Sequence, residues 1–151
     1  MRFMPININI EGKRIVMIGG GKVALHKATI LRRYTDRAVV VARQFAEGFH
    51  SLDGFTLKAK DYETADIEGA WIVYICTDDH GLNARIKADC EQRGILASTC
   101  DNPSLCDFTS PAVYRHDFMT VAVASDANDV RRSIEARNAI AQLHQQGLLQ
   151  L

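Results

Sequence analysis

No stretch of this 151-residue chain stays apolar for more than seven residues, and Trp71 to Cys76 is typical of the longest. A membrane-spanning helix needs roughly 20, so no such segment is expected. Charge of one sign is also missing: 18 Lys plus Arg face 18 Asp plus Glu. Zero net charge removes any global attraction to nucleic acid or an anionic membrane, and neither is expected as a partner. The start, Met1-Arg2-Phe3-Met4-Pro5, breaks at proline and continues as the alternating Ile6-Asn7-Ile8-Asn9-Ile10, so it lacks the continuous apolar core of a secretory signal. Cys76, Cys90, Cys100 and Cys106 include no CxxC pair. Without an export signal they are expected to stay reduced, and the expected compartment is the cytoplasm. The five histidines show no HxxxH and no spacing that closes a zinc site with a cysteine, so no metal ligand is expected. Gly-x-Ser-x-Gly is absent, which leaves a hydrolase elbow without support.

What is present is the balance of a soluble globular domain, 47% apolar and 24% charged, with enough length for one core. Two hydrophobic periods alternate along it, as in α/β folds. Ile6, Ile8 and Ile10 alternate with polar residues before a Glu11-Gly12 turn. Arg14 to Ile18 reads as a short buried strand ending in three glycines. From Lys22 to Tyr34 the apolar residues fit one face of a helix. Ala38 to Val41 is a second buried strand, with a weaker helix over Gln44 to Ser51. Further strands are expected at Phe55 to Ala59, Trp71 to Cys76 and Ile95 to Thr99. Leu82, Ile86 and Cys90 place a helix capped by Asp78 or Asp79 and stopped by Gly94. The repeated order predicts a Rossmann-like, doubly wound parallel sheet over residues 1–112. After the turn signals around Asn102-Pro103 and Ser110-Pro111, Met119 to Ala124 reads as a lone strand, and Asp126 is expected to cap a final helix to about Gln146. That half-apolar strand and helix, residues 113–151, are too poor in core to stand alone and are read as a dimerisation segment.

Gly19-Gly20-Gly21-Lys22-Val23-Ala24 fits G-x-G-x-x-A between a strand and a helix. Gly19 permits the tight turn, Gly21 lets the backbone approach a pyrophosphate, and Ala24 lets helix and strand pack closely. Free N–H groups and the helix dipole would hold the phosphate charge. A plain strand-to-helix turn is the bland alternative. The second strand ends in Val41-Ala42-Arg43-Gln44 without the carboxylate usual in NAD sites. Gln44 could bond a ribose and Arg43 could meet adenine or a 2′-phosphate, which leaves NAD and NADP both open. Other strand ends that should converge on the same crevice are Thr77-Asp78-Asp79 and Cys100-Asp101-Asn102. Asp101 is the best-placed acid–base group, its alternative being a turn cap.

In this order the residues resemble a known family. Met4-Pro5-Ile6, then the Gly19 to Ala24 turn with Lys27 one turn later, look like the opening of the siroheme synthase amino-terminal module. Val41-Ala42-Arg43, Trp71, Thr77-Asp78-Asp79 with Leu82-Asn83, and Asp101 followed by Cys106-Asp107-Phe108 and Pro111 continue the match. Phe118 to Ser125 is similar to that family's dimerisation strand. The resemblance implies a homodimeric precorrin-2 dehydrogenase that oxidises precorrin-2, a tetrapyrrole, to sirohydrochlorin with NAD. It implies cofactor contacts at Gly19, Gly20, Gly21, Lys22, Val23, Arg43, Gln44, Thr77 and Asp78, and catalysis at Asp101. Ser125 matches a serine beside the tetrapyrrole site that is phosphorylated in some members, and Arg131 and Arg132 could meet substrate carboxylates.

Two departures from the family pattern stand out. Its usual Ser-Gly-Gly-x-Ser-Pro is here Ser125-Asp126-Ala127-Asn128-Asp129-Val130, an acidic turn that should weaken contact with carboxylates. The chain also ends at Leu151, where members usually continue into a helical segment, so iron insertion into the product, an activity of some members, is expected to be weak. Rival readings are a nucleotide-sensing regulatory module of the kind that gates potassium transport, and a non-catalytic paralogue. Arg43-Gln44 and the Cys106 to Pro111 stretch favour the dehydrogenase.

Overall fold

The run Ile15–Ile18 shows no polar alternation because both of its faces are covered: all four residues are buried in the computed structural model, which describes residues 2–100 and 102–151. This strand, β1, is the centre of a five-stranded parallel sheet. Its companions are β2 (Ala38–Ala42), β3 (Phe55–Ala59), β4 (Ile72–Ile75) and β5 (Leu96–Thr99). The spatial order is β3-β2-β1-β4-β5, the Rossmann-like order expected. Met17 sits between Val40 on β2 and Tyr74 on β4, so chain direction across the sheet reverses at β1, where a crevice opens beyond the carboxyl ends.

Alternate side chains of each strand serve opposite faces. Val16, Ile18, Val73, Ile75 and Ala97 pack with Ile86 and Cys90 of α2 (His80–Glu91). Met17, Val40 and Cys76 pack with Ala24 and Ala28 of α1 (Lys22–Leu31) and with Phe49. Each fully buried Ile or Val contributes roughly 1.5–3 kcal/mol. The weaker helix expected around Gln44 to Ser51 is a short 3-10 turn, Glu47–Ser51, that delivers Phe49 to this layer. Asp79, not Asp78, caps α2, its side chain accepting from the Leu82 N–H at 2.9 Å. Helix α1 ends at Leu31, short of the expected Tyr34, in a turn where the Tyr34 N–H bonds the Leu31 carbonyl. The alternation Ile6-Ile8-Ile10 forms no strand, because the segment finds no partner edge in the sheet.

The chain divides into two compact units, one of residues 6–108 and the other of residues 1–5 with 109–151. In the latter, the expected lone strand is a hairpin. β6 (Ala112–His116) pairs antiparallel with β7 (Met119–Val123) through a tight turn in which Asp117 takes a φ of 47°. Helix α3 (Val130–Gln145) packs on β6, with Arg137 Nη1 donating to the Val113 carbonyl at 2.9 Å and Tyr114 Oη bonded to His144 Nδ1 at 2.8 Å. Its cap is Asp129, which accepts from the Arg132 N–H at 2.8 Å. The expected cap, Asp126, instead takes a positive φ in the preceding turn and accepts from the Phe3 N–H at 3.2 Å. Among the described residues no helix is long and apolar enough to cross a membrane.

Candidate functional site

The three consecutive glycines occupy three different environments. Gly19 has a φ of 119°, and a Cβ there would overlap the Cys76 carbonyl, so the turn off β1 needs glycine twice over. Gly20 is buried beneath the end of β2, where a Cβ would overlap the Gln44 carbonyl and crowd Phe45. Its own carbonyl accepts from the Ala46 N–H at 2.7 Å. Glycine at position 20 is therefore required by packing against the chain after β2. Gly21 is exposed at the start of α1, and a Cβ there would meet nothing within 4 Å. No side chain caps α1 and no acidic residue occupies its first turn, while exposed Lys22 and Val23 follow directly. The first-turn N–H groups and the positive end of the helix dipole are thus left without a side-chain cap beside the open space at Gly21, which suits a pyrophosphate.

At the end of β2, Arg43 and Gln44 are exposed. Arg43 Nε lies 3.4 Å from Asp61 Oδ1, a carboxylate brought there by the segment after β3. Asp61 thus brings a carboxylate beside the end of β2, whose own sequence has none. At the end of β4, Thr77 Oγ1 bonds Asn83 Oδ1, and Asn83 Nδ2 returns a bond to the Thr77 carbonyl at 3.0 Å. The Thr77 hydroxyl is thus occupied in fixing the loop on α2, and with Asp79 used as a cap, Asp78 remains the exposed carboxylate of this loop.

Beyond β5, Asp101, the catalytic candidate, lies outside the described residues. The segment after it is clamped to the sheet. The Asp107 N–H donates to the Ala97 carbonyl at 2.8 Å, and the Asp107 carboxylate accepts from the Ala97 N–H at 2.9 Å and from buried Lys87 Nζ at 2.7 and 2.8 Å. Burial opposes the Lys87 charge, but hydrogen bonds to Asp107 and Glu91 outweigh it and hold the ammonium above the ordinary lysine range. Lys27, on α1, has the opposite balance. Desolvation lowers its pKa, offset in part by the Cys106 sulfur, and no carboxylate pairs with it among the described residues.

The expectation of reduced cysteines fails at one pair. Cys76 and Cys100 follow β4 and β5 in register, with Cα atoms 5.2 Å apart, and are joined as a disulfide. Spacing along the chain gave no hint of it because parallel pairing, not sequence proximity, brings them together. Cys90 and Cys106 are free, and burial pushes the Cys90 thiol up to about 11.

In the unit of residues 1–5 and 109–151, Ser125 Oγ bonds the Asp129 carbonyl at 2.8 Å and the Ser133 hydroxyl at 3.0 Å, so it organises the start of α3. Arg131 pairs with Glu135 at 2.9 Å, and the Arg132 side chain is exposed. A concavity of about 400 Å³ is lined by Lys13, Arg37 and Thr56 among others, at the amino ends of β1 to β3. It lies at the opposite end of the strands from the glycine turn and is separate from the cofactor edge.

Residues 6–112 match a family model described as "Putative NAD(P)-binding". The chain is 37% identical over 142 residues to the siroheme synthase of Ectopseudomonas mendocina, covering 91% of this chain and 30% of that protein. It is 34% identical over 143 residues to that of Azotobacter vinelandii, covering 91% and 31%. The chain thus spans about a third of the length of these relatives. Among solved structures, "SirC, precorrin-2 dehydrogenase" shares the fold with a TM-score of 0.79 at 15% identity, over 93% of this chain and 70% of that one.

Proposed function

The chain belongs to the NAD(P)-binding family that its residues 6–112 match, and on that premise we propose that it is an NAD-dependent precorrin-2 dehydrogenase, oxidising precorrin-2 to sirohydrochlorin. The observation that carries the reading is the uncapped amino end of α1 behind exposed Gly21, at the switch point of a chain that aligns with siroheme synthases over 91% of its length. The backbone of Gly21, Lys22 and Val23 holds the pyrophosphate, and Arg43, Gln44 and Asp78 line the remaining cofactor edge. NAD held there would supply the hydride acceptor for oxidation of the reduced macrocycle. Asp101 takes the proton released in the same two-electron oxidation, which regenerates the conjugated ring. Arg131 and Arg132 meet the substrate's carboxylate arms, with Ser125 beside them, and the working form is a homodimer. Iron insertion is not part of this proposal.

Two measurements test it. Anaerobic turnover of precorrin-2 with NAD should produce sirohydrochlorin absorbance, and Asp101→Ala should slow it roughly 10²–10⁴-fold while NAD still binds. Loss of NAD binding together with turnover would contradict the role given to Asp101, and no turnover in the native chain would defeat the activity itself.

Cofactor choice rests on Arg43 and Asp61. A 2′-phosphate approaching Arg43 meets a guanidinium already paired with a carboxylate, which disfavours NADP. Asp61→Ala should improve NADP affinity relative to NAD by roughly two- to fivefold, the modest effect expected of an exposed charge. An unchanged ratio would remove Asp61 from the specificity argument.

A further inference from the structure

We propose that Cys76 and Cys100 form a thiol–disulfide redox site coupled to dinucleotide binding, an inference that rests on the cofactor reading above. The pair is built into the sheet: the two residues follow adjacent parallel strands in register, and the Cys100 N–H bonds the Ile75 carbonyl at 2.9 Å. Their Cα separation of 5.2 Å lies within the range a disulfide requires. Cys76 touches the cofactor turn on two sides. Its carbonyl lies against Gly19, and its side chain belongs to the layer that contains fully buried Ala24 and Ala28 of α1. Chain continuity then ties the pair to Thr77-Asp78 beyond β4 and to the segment that follows β5.

Two unbonded sulfurs need roughly 1.5 Å more room than a bonded pair. Cys76 is buried in one layer with Met17, Ala24, Ala28 and Phe49, and such interiors are close-packed. Reduction therefore separates the two strand ends or turns the half-exposed Cys100 thiol outward, and in both cases the covalent tie between the loops that frame the cofactor edge is lost. The disulfide form is the pre-organised one and binds dinucleotide more tightly.

The oxidant is a low-molecular-weight disulfide such as glutathione disulfide. The half-exposed Cys100, as thiolate, attacks one of its sulfurs, and one glutathione leaves and takes up a proton. Cys76 then attacks the Cys100 sulfur of the mixed disulfide and the second glutathione leaves, so two thiols are oxidised and one disulfide is reduced. Cys90 takes no part, its thiol being buried and held near 11.

The protein is equilibrated across glutathione ratios, alkylated, mapped by peptide mass, and titrated with NADH in its fully reduced and oxidised forms. The expected results are a Cys76–Cys100 crosslink and NADH binding roughly fivefold weaker after reduction. Reciprocity requires saturating NADH to shift the glutathione equilibrium toward the disulfide by the same factor. Cys100→Ala should bind NADH with the reduced-form affinity at every ratio. A crosslink through Cys106 instead, no crosslink at any ratio, or NADH affinity indifferent to redox state would overturn the coupling. No NADH binding in either form would defeat the cofactor reading, and this coupling with it.

Discussion

Gly20 and Gly21 are neighbours in sequence and opposites in environment, and that difference separates folding from binding. Gly21→Asp adds a side chain into open space at an extended backbone position, so the fold should survive. Its carboxylate would stand at the amino end of α1, where the pyrophosphate belongs, and NAD binding should be lost. Circular dichroism and an NADH fluorescence titration check the two halves, and unchanged affinity in a folded variant would remove the site from this turn. Gly20→Ala should do the reverse damage, destabilising by roughly 1–3 kcal/mol, because its methyl would overlap the Gln44 carbonyl. From sequence the motif was legible, but Gly20 could not be told from Gly21. The distinction depends on where the chain after β2 returns, a long-range fact. Asp61 was illegible for the same reason, since the acid expected on β2 arrives from beyond β3.

Among the elements, the clearest readings were those with a local cause. The buried runs of β1, β2 and β4 and the Asp79 cap of α2 follow from side-chain pattern and spacing alone. What the side-chain pattern does not reveal is non-local. Ile6 to Ile10 has the period of a strand but no partner edge, and β6 has little alternation and exists because β7 pairs with it. The segment after β5 is also held non-locally, by Asp107 and buried Lys87. Asp107→Ala would leave the buried Lys87 ammonium with the exposed Glu91 as its remaining carboxylate partner and the Ala97 N–H without its acceptor, at a cost of roughly 1–3 kcal/mol, moderated by the partial exposure of Asp107. Because the folded-state pKa of Lys87 is raised, the pair's contribution is fully present below the ordinary lysine range and is lost only as pH rises above it. Chemical denaturation at pH 7 should show the loss in Asp107→Ala, and the gap from wild type should narrow in strongly alkaline solution. A gap that does not depend on pH would assign the effect to packing instead.

For the whole molecule, the remaining question is what covers the apolar surface of the unit formed by residues 1–5 and 109–151. Phe118 is 87% exposed, Val130 64% and Leu148 73%, while Ser133 is the only buried residue of α3. A 16-residue helix with one buried position has not met its packing requirement within one chain. Val130 and Ile134 stand one turn apart on the same side of α3, so a second copy could meet both through a two-fold contact. The chain should therefore scatter light as about twice 16.8 kDa at micromolar concentration. Val130→Asp combined with Ile134→Glu should return it to the single-chain mass. The fold itself should tolerate the change: Val130 opens α3, where a carboxylate is favourable to the helix dipole, and Ile134 is substantially exposed. If the substituted protein keeps both its helical signal and its doubled mass, the contact lies elsewhere. If the native chain stays at the single-chain mass at high concentration, the exposed apolar face has some other purpose and the homodimer falls.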